Sequence, residues 1–256
     1  MPTDDLVEAA RRALLPIPGL SSYFRDFCLR MYSSPQANYQ RRLRMIGLEK
    51  LECVLDAGCG FGQWSLAMAS LGNARIHACD IDPDRITAFS SILAQLGETR
   101  IEPAVSSLES LPYPAASFDA VFAYGCVHAA EVHRCLDEFH RVLKPGGTVY
   151  FTMNAFGYYA QRWLEEKPRT ADHNPKLNMA RIFMSTAMYQ KTGKKVLPYG
   201  QIFEKEEMRH IVEKHGFSNI RINGEGETCL HGEDPFPFFP SSYRGMDAVY
   251  EVLAAR

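Results

Sequence analysis

Between residues 53 and 153 the chain alternates short apolar runs with helix-length segments, and this rhythm constrains the fold more than any other feature. The runs are Cys53-Val54-Leu55 and residues 75–79, 101–105, 118–123 and 148–152. Spacing of this kind is too wide for hairpins. It makes right-handed βαβ units around a parallel sheet with helices on both faces. The intervening helices have readable ends. Asp82 precedes Pro83 as an N-cap before a proline at the first helical position. Val132, Leu136, Phe139 and Leu143 form one apolar stripe, and Lys144-Pro145-Gly146-Gly147 ends that helix. Met208, Ile211, Val212 and His215 mark another helix, with Gly216 placed to close it.

Two more strands are expected at 219–223 and 248–253, separated by a loop rich in Gly, Pro and Phe. The stretch 155–200 is too long for a tight connection and reads as a partly helical cap. One domain over residues 1–256 is therefore expected. It has a helical N-terminal lid (1–50), a core (51–153), the cap, and a C-terminal helix and strands (201–256). A chain of 256 residues can bury such a core without staples. With 46% hydrophobic and 23% charged residues, disordered and collagen-like classes are excluded. Its 28 basic against 30 acidic residues argue against nucleic acid as a partner. The cysteines at 28, 53, 59, 79, 126, 135 and 229 include no C-x-x-C pair, so no zinc ribbon or redox motif is expected. Free thiols, an acidic start and no apolar run near the ~20 residues of a membrane span point to a cytoplasmic protein.

The most specific segment is Val54-Leu55-Asp56-Ala57-Gly58-Cys59-Gly60-Phe61-Gly62, which leads into the helical Trp64-Ser65-Leu66-Ala67-Met68. Glycines let a backbone approach a ligand closely and adopt angles that side chains forbid. A dinucleotide fingerprint requires G-x-G-x-x-G, but position 63 is Gln. The loop reads G-x-G-x-G, and no lysine follows as in a P-loop. Asp80, 20 residues beyond Gly60 at the end of the next run, can accept both hydroxyls of a ribose.

Four segments in order resemble the class I S-adenosylmethionine-dependent methyltransferases, in their small-molecule branch of quinone, sugar and natural-product enzymes. They are the 56–62 loop, Asp80-Ile81-Asp82-Pro83, Ser117-Phe118-Asp119-Ala120-Val121 and the 141–147 segment Arg-Val-Leu-Lys-Pro-Gly-Gly. The resemblance implies a Rossmann-like, mostly parallel seven-stranded sheet whose final strand is antiparallel. It implies S-adenosyl-L-methionine as cofactor, with Ala57, Gly58 and Gly60 along its methionine part and Asp56 at its amino group. Asp80 would hold the ribose, Ile81 would pack on adenine, and Ser107 and Leu108 would bracket the adenine edge. Ser107 departs from the family, which usually has an acid there. Tyr124 follows the fourth strand, beside the same cofactor.

Methyl transfer is an in-line displacement that mainly requires alignment. His128, just past the fourth strand, is the candidate base. Metal-dependent relatives place an acid near position 124, where this chain has Tyr124, so no metal is expected; His231, Glu233 and Asp234 read as loop residues. Tyr32, Tyr39, Tyr158, Trp163 and Phe238 are the candidate walls of an acceptor pocket. From residue 161 to 200 there are eight basic and three acidic residues, a cap that could steer an anionic small molecule. The expected activity is O- or N-methylation of a small molecule. Carbon methylation or another sulfonium reaction on this fold is the first alternative. An NAD(P)-dependent oxidoreductase and a non-catalytic cofactor-binding scaffold are the others.

Overall fold

The first strand, β1 (Cys53–Ala57), is buried along most of its length and pairs in parallel with β2 (Arg75–Asp80) on one side and β4 (Phe118–Ala123) on the other. In this computed structural model, residues 3–17, 19–72, 75–167, 169 and 173–256 are described. β3 (Ile101–Val105) extends the sheet beyond β2, and β5 (Leu143–Asn154) pairs in parallel with β4. The last strand, β9 (Val249–Ala255), inserts antiparallel between β5 and β6 (Ser218–Gly224). The resulting order, β3-β2-β1-β4-β5-β9-β6, is the expected seven-stranded sheet. A separate hairpin, β7 (Ser242–Tyr243) and β8 (Met246–Asp247), lies in the loop between β6 and β9.

The helices cover both faces in two large cores. α4 (Gln63–Leu71), α5 (Pro83–Leu96) and the N-terminal α1 (Thr3–Leu14), α2 (Ser22–Ser33) and α3 (Gln36–Met45) share one. α6 (Val132–Val142) and α9 (Lys205–Lys214) pack on the opposite side with Phe118, Val149 and Val252. α5 begins as its sequence requires: the Asp82 carboxylate accepts from the amides of Asp84 and Arg85, with Pro83 at the first position. α6 buries Val132, Cys135, Leu136, Phe139 and Val142, but Leu143 has left the helix and, as the first residue of β5, pairs with Phe118 of β4. The proline and glycines after it thus lie on the strand's leading end rather than in a helix-terminating turn. Asp119, the second residue of β4, pairs with Lys144 at 2.6 Å.

The cap consists of α7 (Phe156–Glu165) and α8 (Pro175–Thr192). Tyr159, Met179, Ile182 and Ile202 form its small core. Trp163, a candidate pocket wall, is exposed, as are Phe156, Met184 and Met188, while the buried stripe of α8 runs through Pro175, Met179, Ile182 and Ser185. Asp172, one of the three acids counted there, lies outside the described residues. All seven cysteines are free thiols. Among the described residues, no helix is long and apolar enough to cross a membrane.

Candidate active site

β1, β2, β4 and β5 all end at the same edge of the sheet, so the residues that follow them converge. The turn after β1 docks on the end of β2, with the amides of Gly58 and Cys59 both donating to the Cys79 carbonyl at 2.7 and 2.9 Å. Gly58 has a φ of +75°, and a Cβ there would stand 2.5 Å from Cys126 Sγ. Two requirements therefore fix this glycine: a left-handed backbone and a close neighbour after β4. A Cβ on Gly60 would meet nothing within 4 Å, so its face is open.

Asp80 is 4% exposed, yet each of its carboxylate oxygens carries only one backbone donor. Oδ2 accepts from the Gly60 amide at 3.0 Å and Oδ1 from the Asp82 amide at 2.9 Å. The Arg85 guanidinium also stands 3.6 Å from Oδ2, beyond hydrogen-bond length, so one lone pair per oxygen remains for a diol. Beside it, Ile81 at 71% and Val105 at 55% exposure put bare apolar surface at the ends of β2 and β3. A flat ring bonded to a ribose on Asp80 would cover that surface, and the residues present fit the adenosine half of the cofactor. Ser107 turns back on its own loop, where its hydroxyl accepts from the Glu109 amide at 3.1 Å; Leu108 packs near Gly58.

Asp56 is 1% exposed and accepts from the Ser65 hydroxyl at 2.5 Å. Burial pushes its carboxyl up to about 7, against the Ser65 hydrogen bond and with help from Asp80. Tyr32 and Tyr39 are fully buried, and each hydroxyl already donates to a backbone carbonyl, Phe61 at 2.5 Å and Met31 at 2.7 Å. Tyr32 thus anchors α2 to the glycine loop, and Tyr39 ties α3 to α2. Phe238 stacks on Tyr39 with ring centroids 5.2 Å apart and meets Trp64 edge-on.

Tyr124 donates to Glu225 at 2.8 Å, and its ring packs on Trp64. That glutamate belongs to a buried ion network. Arg42 pairs with Glu225 at 2.9 Å and with Glu251 at 2.7 Å, and all three side chains are fully buried. Tyr150 donates to Glu251 at 2.6 Å, and the amides of Phe238 and Phe239 donate to Glu225. Burial raises the Glu225 carboxyl, with Arg42 opposing.

His128 lies in a one-turn helix after β4, facing the cap. The Asn154 amide at the end of β5 reaches its Nε2 at 3.2 Å. Burial pushes His128 down to about 4, aided by Lys195 and Arg162. The Gln201 amide donates to its carbonyl at 3.0 Å, and Tyr159 faces its ring at 6.5 Å. Tyr158 lies beneath the Arg162 guanidinium, and Trp163 pairs with Phe183. His140 is half-buried, edge-on against Phe217 just after α9. Among the described residues, no group of three or more His, Cys, Asp or Glu side chains is placed to hold a metal.

Arg42, Glu225, Glu251, Asn154 and Gln201 were not singled out from the sequence. Only Asn154 carried a signal, since it ends a strand at the same edge as Asp56, Asp80 and Tyr124.

Residues 54–147 match a family model described as a methyltransferase domain. The sterol 24-C-methyltransferase of Neurospora crassa is 33% identical over 149 residues, which is 54% of this chain and 36% of that protein. The malonyl-[acyl-carrier protein] O-methyltransferase of Hamiltonella defensa is 27% identical over 200 residues, 75% of this chain and 69% of that one. The chain thus spans about a third of the length of the first curated relatives it matches. The solved geranyl diphosphate C-methyltransferase of Streptomyces coelicolor superposes with a TM-score of 0.61 at 14% identity, over 96% of this chain and 86% of that one. The structural likeness shows the fold.

Proposed function

We infer that this chain, which has the fold of the class I S-adenosylmethionine-dependent methyltransferases and their domain over residues 54–147, transfers a methyl group to a small-molecule acceptor. The observation that carries the reading is Asp80, a buried carboxylate with one free lone pair on each oxygen, set between the open face of Gly60 and the bare Ile81. S-adenosylmethionine supplies an electrophilic methyl on a sulfonium, so the protein has to bind, orient and exclude water. In this reading Asp80 takes the ribose diol, and Ile81 with Val105 takes the adenine face. The Gly58–Gly60 backbone lies along the methionine part, and Asp56 takes its ammonium. Tyr124, fixed by Glu225, walls the reacting end.

His128 is uncharged at neutral pH and, with its conjugate acid near 4, a weak base. It positions the acceptor rather than deprotonating it. Acceptors that arrive nucleophilic, an amine or an already ionised oxygen, fit such a site. The O- and N-methylation reading follows from this. Carbon methylation, the activity named for the sterol and geranyl diphosphate enzymes, is the alternative reading.

Calorimetric titration with S-adenosylmethionine and S-adenosylhomocysteine, with NADH as control, tests the reading. Micromolar binding of the two sulfur compounds alone is expected. NADH binding without them would overturn it.

A further inference from the structure

Beneath the cap, beyond the ends of β4 and β5, neighbouring residues carry buried polar atoms without a full set of partners. His128 Nδ1 and both ends of the Gln201 carboxamide have no hydrogen bond, and Tyr159 Oη has only the Asn154 side chain within reach, leaving its proton free to donate. Tyr159 is 1% exposed and Gln201 is 0% exposed. The groups belong to one place. Gln201 is tied by its backbone to the His128 carbonyl, Tyr159 faces the His128 ring, and Asn154 sits beside both His128 and Tyr159. Leaving a buried polar group unmade costs about 1–3 kcal/mol, and native interiors rarely carry several together. Such a cluster is what a ligand site looks like before its ligand arrives.

The donor pattern defines the ligand. With Asn154 donating to Nε2, the neutral His128 ring carries its proton on Nδ1 and presents a donor. Tyr159 presents a second donor and the Gln201 NH2 a third. The Gln201 carbonyl is the one acceptor. Arg162, whose Nε is also unpartnered, and Lys195 supply positive charge from the cap. Three donors around a net positive field suit an oxygen anion, and the lone acceptor suits an O–H or N–H beside it.

We propose that His128, Tyr159 and Gln201 bind an anionic oxygen of the acceptor, a carboxylate or an ionised phenol- or enol-type oxygen with a neighbouring hydrogen-bond donor. This rests on the methyltransferase reading above and specifies which acceptors that site takes.

The test uses the full chain saturated with S-adenosylhomocysteine, titrated with salicylate, benzoate, 4-nitrophenolate, benzyl alcohol and benzylamine. The three anions are expected to bind and the alcohol and amine are not, with salicylate tightest. The carboxylates and the phenolate separate the two sources of the oxygen. Gln201→Leu and Tyr159→Phe should each weaken salicylate at least tenfold while leaving S-adenosylhomocysteine affinity unchanged. Both should also raise the Tm of the ligand-free protein, since each removes a buried polar group that lacks a full set of partners. A merely structural pair would lower it. Failure of all three anions to bind, binding of benzylamine in their place, or anion affinity indifferent to both variants would overturn the proposal. If S-adenosylhomocysteine itself does not bind, the methyltransferase reading fails, and the same titrations on the ligand-free protein still decide this one.

Discussion

Replacing Asp56 by Asn should make the protein more stable in mild alkali and less able to bind its cofactor. The Asp56 carboxyl is almost fully buried, with Ser65 as its hydrogen-bond donor, and burial lifts it from the ordinary 3.8 to about 7. A raised acid keeps a proton in the native state that the unfolded chain has released. The native state therefore loses stability as pH rises from about 4 to about 7. At about 1.36 kcal/mol per pH unit, the penalty reaches on the order of 4 kcal/mol by pH 8. His128 acts in the opposite sense over part of this window. Its folded-state value near 4 makes the native state lose stability as pH falls below the ordinary 6.5. The two slopes partly cancel in the wild type, so the difference between wild type and Asp56→Asn is the informative quantity. That difference should be near zero at about pH 3, about 1 kcal/mol at about pH 4.5, and a few kcal/mol in favour of the variant at pH 8, measured by urea unfolding. If the cofactor's ammonium restores the Asp56 charge, binding of S-adenosylhomocysteine at pH 7 should release about half a proton. Calorimetry in buffers of different ionisation enthalpy reads this directly, and Asp56→Asn should abolish it. A variant less stable than wild type at pH 8, or a difference flat with pH, would refute the assignment of a protonated buried carboxyl.

Three further outcomes are expected. Asp80→Ala should weaken S-adenosylmethionine binding by roughly 10–150-fold, about 1.5–3 kcal/mol for lost charge-assisted hydrogen bonds, read by calorimetry; unchanged affinity would remove Asp80 from the ribose role. Gly62→Ala should lower stability by on the order of 3 kcal/mol in urea unfolding, because its φ is +84° and the new Cβ would stand 1.9 Å from the buried Phe89 ring. Arg42→Met should cost about 3–5 kcal/mol by leaving two buried glutamates without their cation, and adding Glu251→Leu should recover part of the loss.

The parallel core was legible because its signals are local. Apolar runs, the Asp82-Pro83 cap and the glycine loop each report on a few consecutive residues, and the strands formed where those signals lie. The Asp80 geometry was legible for the same reason, since a strand end fixes where its side chain emerges. The unread parts depend on partners far along the chain. Arg42 meets Glu225 and Glu251 across most of the sequence, and no spacing rule joins them. Gln201 lies in an irregular stretch after α8, where one polar residue looks like any other until burial singles it out. The hydroxyls of Tyr32 and Tyr39 looked free because their acceptors are backbone carbonyls, which every residue carries. Cap aromatics misled for a related reason: with charges interleaved, α8 offers two plausible buried stripes, and only packing chose between them.

The position of β9 dictates an order of assembly during synthesis. It is made after β6, yet it lies between β6 and β5 and, among the described residues, is the only strand with which β6 pairs. Until residues 249–255 leave the ribosome, 218–224 has no place in the sheet and Arg42 lacks Glu251. The N-terminal helices, the loop that bears Phe238 and the Tyr124 wall all hang on that network. A nascent chain can build the glycine loop and Asp80 early, but the completed cleft comes only with the final strand, so a ribosome stalled just short of it would hold a chain with the cofactor loop formed and the acceptor side open.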